Sequence, residues 1–122
     1  MQKKWTYWFE IPAADFDRAK VFYEKIFDME IVQVFDAGAF KMGIFPGGEE
    51  VGCAICWGGH YKPSPSGTVV FFDANPDLQI IEDRIEVAGG KIIQSKKLIS
   101  PDQGFIGPVS YTHLTLPTIY SV

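Results

Sequence analysis

The sequence predicts an α+β fold of two βαβββ modules, whose curved sheets surround a concave cavity with the helices outside. Three observations predict it. Two segments carry apolar residues at helical spacing, each opened by an aspartate. Each lies between runs rich in β-branched and aromatic residues. The two sets recur in register: Asp15 matches Asp77 and Gln33 matches Gln94, each pair separated by about half of a 122-residue chain. An amphipathic helix needs a sheet to cover its apolar stripe, so two such units in tandem imply two sheets with outer helices.

The elements follow in order. "WTYWFEI" reads as a strand. In "DFDRAKVFYEKIF", Phe16, Ala19, Phe22, Tyr23, Ile26 and Phe27 recur at three- and four-residue steps, and Asp15 supplies an N-cap. "MEIVQVF", "AFKMGIF" and "VGCAICW" are three further strands, the last two separated by the turn "PGGEE". The Pro/Ser-rich "HYKPSPSG" marks a linker. The second unit repeats the order: strand "TVVFFDA", then helix "DLQIIEDRIEVAGG" with Asp77 as cap, the stripe Leu78, Ile81, Ile85 and Ala88, and a glycine stop at Gly89-Gly90. "KIIQSKKL" and "GFIGP" continue it, and a last strand is expected near residues 113–119. Module one thus covers about 5–57, a linker 58–66, and module two about 67–107, all in one domain of 1–107.

Composition narrows the function classes. Hydrophobic content of 47% and 21% charged residues fit a folded domain rather than a disordered chain. A net charge of −4 without a Lys/Arg cluster argues against nucleic acid. No run is long enough for a membrane span, and "MQKKWTYWFEIP" lacks the apolar core of a signal peptide, so a cytoplasmic protein is expected. Cys53 and Cys56 have CxxC spacing, but in a strand a separation of three places them on opposite faces, which predicts two reduced structural thiols. "FPGGEEVG" lacks the Lys-Ser/Thr of a phosphate loop, and Ser64 and Ser66 have no nucleophile-elbow pattern.

"WFEIPAADFDRAKVFYEKIFDMEI" (Trp8 to Ile31), "LQIIEDRIEVAGGKIIQ" (Leu78 to Gln94) and "ISPDQGFIG" (Ile99 to Gly107) resemble the vicinal oxygen chelate superfamily, which includes glyoxalase I, bleomycin resistance proteins and extradiol dioxygenases. The resemblance implies a homodimer and a small-molecule ligand in the concave cavity. In the catalytic members it also implies a divalent metal, held by His, Glu or Gln from the first, fourth, fifth and eighth strands. This chain departs from that set. Trp8 stands at the first-strand His position, the fifth strand offers only Thr68, Val69 and Val70, and "VGCAICW" has no carboxylate. No metal or other cofactor is therefore predicted, and the expected function is metal-free binding of a small organic ligand. The alternative is a divalent-metal-dependent lyase, isomerase or dioxygenase of the same superfamily.

Glu10 is the candidate catalytic or amine-binding group, because strand alternation places it with Trp8 on the cavity face while Phe9 and Ile11 face the helix. Trp57 and Phe71 complete the expected cavity lining with Trp8 and Glu10. His60 is expected to be a solvent-exposed loop residue, and His113 is given no role.

The tail "VSYTHLTLPTIYSV" contains no Asp, Glu, Lys or Arg, and resembles a translated sequencing adaptor. Residues 108–122 are therefore expected to be non-native, with module two truncated and its last strand missing or replaced. Within the tail, "YTHLTL" alternates as a makeshift strand would. Pro117 is expected to end that strand or confine it to an edge. The second sheet would then expose an edge.

Overall fold

A computed structural model describes residues 3, 5–47, 51–64, 70–92, 97–100, 104–111 and 117–121, the last three stretches by their backbone course. The element order is β1 (Trp8–Pro12), α1 (Phe16–Phe27), β2 (Gln33–Asp36), β3 (Phe40–Ile44), β4 (Gly52–Gly58), β5 (Val70–Asp73), α2 (Leu78–Ile85), β6 (Gly90–Ile92), β7 (Lys97–Ser100), β8 (Gly104–Tyr111) and β9 (Pro117–Ser121).

α1 forms as its spacing predicts. The Asp15 carboxylate accepts the Arg18 N–H at 3.1 Å. Phe16, Ala19, Phe22, Tyr23 and Ile26 bury one stripe. The helix stops at Asp28, whose φ of 49° is left-handed and whose N–H returns to the Glu24 carbonyl. The Glu24 carboxylate then fixes the exit by accepting the Ile31 N–H at 2.8 Å and Lys20 Nζ at 3.0 Å. α2 is shorter than its sequence pattern. It begins at the Asp77 cap, which accepts the Gln79 N–H at 2.9 Å, but regular helix ends at Ile85 and a run of turns follows. Of the expected glycine stop, Gly89 carries the left-handed φ of 99°. Gly90 already opens β6, where a Cβ would stand 2.6 Å from Phe22 Cε1.

The first sheet has the order β1-β4-β3-β2, with β1 parallel to β4 and the other pairs antiparallel. The second has β5-β9-β8-β6, with β7 also on β8. β5 pairs parallel with β9 as β1 does with β4. The expected strand "KIIQSKKL" is therefore two short strands on one side of β8. Its ladder runs from Gly104 to Ile106 with β7 and resumes at Val109 with β6. Pro108, which cannot donate to a ladder, lies in that gap.

β9 takes the position in its sheet that β4 holds in the first, so the place of the last strand is occupied from the tail. The edge that the second sheet was expected to expose is covered there, since β9 pairs with both β5 and β8. Pro117 neither ends a strand nor lies at an edge. It opens β9, between β5 and β8, where a first residue can lack its N–H at little cost. The stretch 112–116, including most of "YTHLTL" and His113, lies outside the described residues. So do Thr68, Val69, Ser66 and most of the turn "PGGEE".

The helix sides of the two modules share one core. Ile11, Phe16, Phe22, Tyr23, Ile26, Ile31 and Ile55 meet Phe72, Leu78, Ile81 and Ile85 in one buried cluster. Phe72 of β5 lies among rings of the first module: Phe27 at 5.2 Å, Phe9 and Tyr23 at 5.9 Å and Phe45 at 6.1 Å between centroids. Each such side chain removed from water contributes roughly 1.5–3 kcal/mol. Arg84 of α2 adds a bond from Nη1 to the Ile26 carbonyl at 3.1 Å. No helix among the described residues is long and apolar enough to cross a membrane.

Candidate functional site

The site is built on the face of the first sheet that turns away from the helices. Along β4, every second residue on that face is small: Gly52, Ala54, Cys56 and Gly58. The flanking strands carry larger groups in register. β1 places Trp8 beside Gly52, Glu10 beside Ala54 and Pro12 beside Cys56. β3 places Ile44, Met42 and Phe40 beside Ala54, Cys56 and Gly58. A low floor between taller walls is the result, and successive side chains of a strand pointing to opposite faces make it unavoidable.

Glu10 is exposed on this floor and held between two aromatic donors. Trp8 Nε1 donates to Glu10 Oε2 at 3.2 Å, and the Tyr61 hydroxyl donates to Oε1 at 2.7 Å. Tyr61 reaches β1 because a turn after β4 folds it back, with its N–H donating to the Gly58 carbonyl at 3.1 Å. Its ring packs on Phe40 at 5.8 Å. The bond to the Glu10 carboxylate pushes the Tyr61 phenol well above its ordinary range, so it stays a donor. Beneath them, Cys56 is fully buried. Burial, with the Glu10 charge beside it, pushes its thiol up to about 11. Burial alone pushes Cys53, on the helix side, up to about 12. Both thiols are free and protonated at neutral pH, and they face opposite sides of β4 as the spacing predicts.

Of the four expected lining residues, the structure brings together Trp8 and Glu10. Trp57 lies on the other face with Cys53 and Ile55, packed against the core, with Lys41 Nζ 5.6 Å from its ring centroid. Phe71 is 53% exposed, on the face of β5 opposite Phe72, and belongs to the second sheet. His60 is exposed. Sequence reasoning missed Tyr61 and Cys56. The period-two run of small residues in "GCAICWG" was a readable signal for the floor. Nothing local signals Tyr61, which meets Glu10 across 51 positions.

The comparisons with known proteins agree with this architecture. The profile of the Glyoxalase/Bleomycin resistance protein/Dioxygenase superfamily matches residues 7–104, and the chain belongs to that superfamily. Its fold is similar to a glyoxalase/bleomycin resistance protein from Albidiferax ferrireducens T118, at TM-score 0.71 and 12% identity, covering 98% of this chain and 99% of that one. It is also similar to the fosfomycin resistance protein FosX from Listeria monocytogenes, at TM-score 0.67 and 14% identity, covering 100% and 93%. Glyoxalase I from Zea mays aligns at TM-score 0.71 and 15% identity over 96% of this chain, which spans only 44% of the maize chain. No curated protein matches the chain in sequence.

The divalent metal that the family implies does not fit the donors described on this face. Among the described residues no three His, Cys, Asp or Glu side chains converge. Among the described residues Glu10 is the one carboxylate on the floor, its β4 neighbours are Ala54 and a protonated Cys56, and Trp8 fills the first-strand position. A hard cation needs several oxygen or nitrogen ligands at once.

Proposed function

We propose that the chain binds a small organic molecule on this face without a metal, and that the ligand carries a cationic nitrogen. The observation that carries the proposal is the Glu10 carboxylate, exposed at the centre of an aromatic surface and oriented by Trp8 and Tyr61. A carboxylate has about four acceptor positions, so two donated bonds leave room for an ammonium or amidinium partner. The ring faces of Trp8, Phe40 and Tyr61 suit the same charge, at about 0.5–2 kcal/mol per well-placed contact. In this reading Glu10 is an anchor, and Tyr61 is the residue that aims it.

The test is titration of chelator-treated protein with benzyltrimethylammonium, benzylamine and the neutral benzyl alcohol by calorimetry. The cations are expected to bind at least about tenfold more tightly than the alcohol, equal to about 1.4 kcal/mol. Glu10→Gln should remove that preference, and Tyr61→Phe should reduce it. Flat curves for all three probes would sink the proposal. So would stoichiometric Ni, Zn, Mn or Fe in the protein as purified, which would favour a metal-dependent lyase, isomerase or dioxygenase.

A further inference from the structure

Beyond the Glu10 carboxylate, the same face of the first sheet continues to its far edge and changes character. Gly43 of β3 belongs to the helix side, since a Cβ there would stand 3.1 Å from side-chain atoms of Phe16 and Ile31. Alternation therefore turns Phe40, Met42 and Ile44 to the Glu10 side. β2 pairs Phe35 with Met42 and Gln33 with Ile44, so both β2 residues share that side. The two strands thus present four apolar side chains and one amide here. Their charged residues, Asp36 and Lys41, are paired in the register and lie on the helix side, where Lys41 Nζ stands 6.0 Å from the Phe16 ring centroid.

The aromatic members form a file. The Phe35 ring lies 6.1 Å from Phe40, and Phe40 lies 5.8 Å from Tyr61, between centroids. The Tyr61 hydroxyl ends the file on Glu10. Phe35 ends it at the other side, on the edge strand, where it is 59% exposed. A single exposed phenylalanine is ordinary surface. Phe35 is not single: it extends a continuous apolar strip whose other end is a fixed carboxylate. It also stands on a sheet edge, where an exposed ring invites pairing with another chain. Two strands separate β1 from β2, so Glu10 and Phe35 are about 14 Å apart across the sheet. A one-ring ligand held at Glu10 covers only the Tyr61 end of that span.

We propose that the ligand of this face is an extended aryl cation. Its charge lies at Glu10, and a flat body of linked rings lies along Tyr61 and Phe40 as far as Phe35. The proposal rests on the cationic reading of the Glu10 site, and adds Phe35 as the residue that selects for aromatic length. Rings suit the strip better than alkyl chains, because aromatic pairs gain more than their area burial and the Met42 thioether favours ring edges.

Benzyl-, para-phenylbenzyl- and para-terphenylmethyl-trimethylammonium share a head and differ by one ring each. Calorimetry with chelator-treated protein compares them. Affinity is expected to rise along the series, by at least about tenfold from first to last. Phe35→Ala should bring the longest probe to within about threefold of the shortest and leave the shortest unchanged. Phe35→Tyr should restore the series, and Phe35→Leu, which keeps apolar area without a ring, should not. Glu10→Gln should weaken all three probes by a similar factor and preserve the series, so loss of charge preference and loss of length preference are read separately. Equal affinities along the series in the unmodified protein would overturn the proposal, as would a series that survives Phe35→Ala. So would a dimer that Phe35→Ala converts to monomer in light scattering with probe affinities unchanged, which would give the strip to a second copy of the chain.

Discussion

The two modules share an element order and differ in almost everything that gives the order a use. α1 has twelve residues, with a cap at each end, whereas α2 has eight and dissolves into turns. The edge of the first sheet is one strand, β2, while the corresponding side of β8 is shared by β6 and β7. The face of the first sheet carries Trp8, Glu10 and a floor of small residues, whereas Phe71 is the exposed aromatic residue described on the second. The repeat therefore specifies a scaffold, and among the described residues the Glu10 cluster lies on the first copy. The copies are also unequal in the core. Phe72 is surrounded by first-module rings, so the second module lends a side chain to the first.

The sharpest way to break this asymmetry is Phe72→Ala. Removing a ring buried among Phe9, Tyr23, Phe27 and Phe45 should cost about 3–5 kcal/mol in denaturant unfolding. If the modules were independent, the loss would be confined to the second, and unfolding would separate into two transitions; a single cooperative transition is expected. Gly90→Ala tests the other direction of dependence. The added methyl meets Phe22 of α1 at 2.6 Å, so a cost of about 1–3 kcal/mol is expected. Gly59→Ala, with nothing within 4 Å of the new Cβ, serves as a control with little change.

The two caps are the closest match between the modules. Asp15→Ala and Asp77→Ala should each cost about 1 kcal/mol, read from the urea midpoint. A much smaller loss for Asp77→Ala would mean that α2 is held by packing alone. The smallest effect expected is pH-dependent. Burial tends to raise the Glu24 pKa, but the Ile31 N–H and Lys20 outweigh it, and the net shift is downward from 4.5. A depressed folded-state pKa contributes stability that is complete above the unfolded value and is lost as pH falls through the folded one. Stability measured from pH 6 down to pH 3 should therefore fall less steeply in Glu24→Gln than in the unmodified chain. Equal slopes would remove Glu24 from the account of acid sensitivity.

The Glu10 site was half legible. Alternation in "WFEIP" was enough to put Trp8 and Glu10 on one face, because that depends only on strand geometry. The same rule placed Trp57 with Cys53 and Ile55, and the burial of those two decides which face it is. Tyr61 was not legible. Its role depends on a turn that returns the chain to β4, and no local pattern records a partner 51 positions away.

By itself, the sequence determined the helices with their Asp15 and Asp77 caps, the paired modules, and the opposed faces of Cys53 and Cys56. All of these follow from spacing along the chain, and spacing is what a sequence contains. The tertiary structure alone decided that Tyr61 grips Glu10, that Phe72 joins the rings of the other module, and that Pro117–Ser121 lies between β5 and β8. Each of these is a contact between distant positions. Its free energy comes from packing and hydrogen bonding across the fold, which local pattern does not encode.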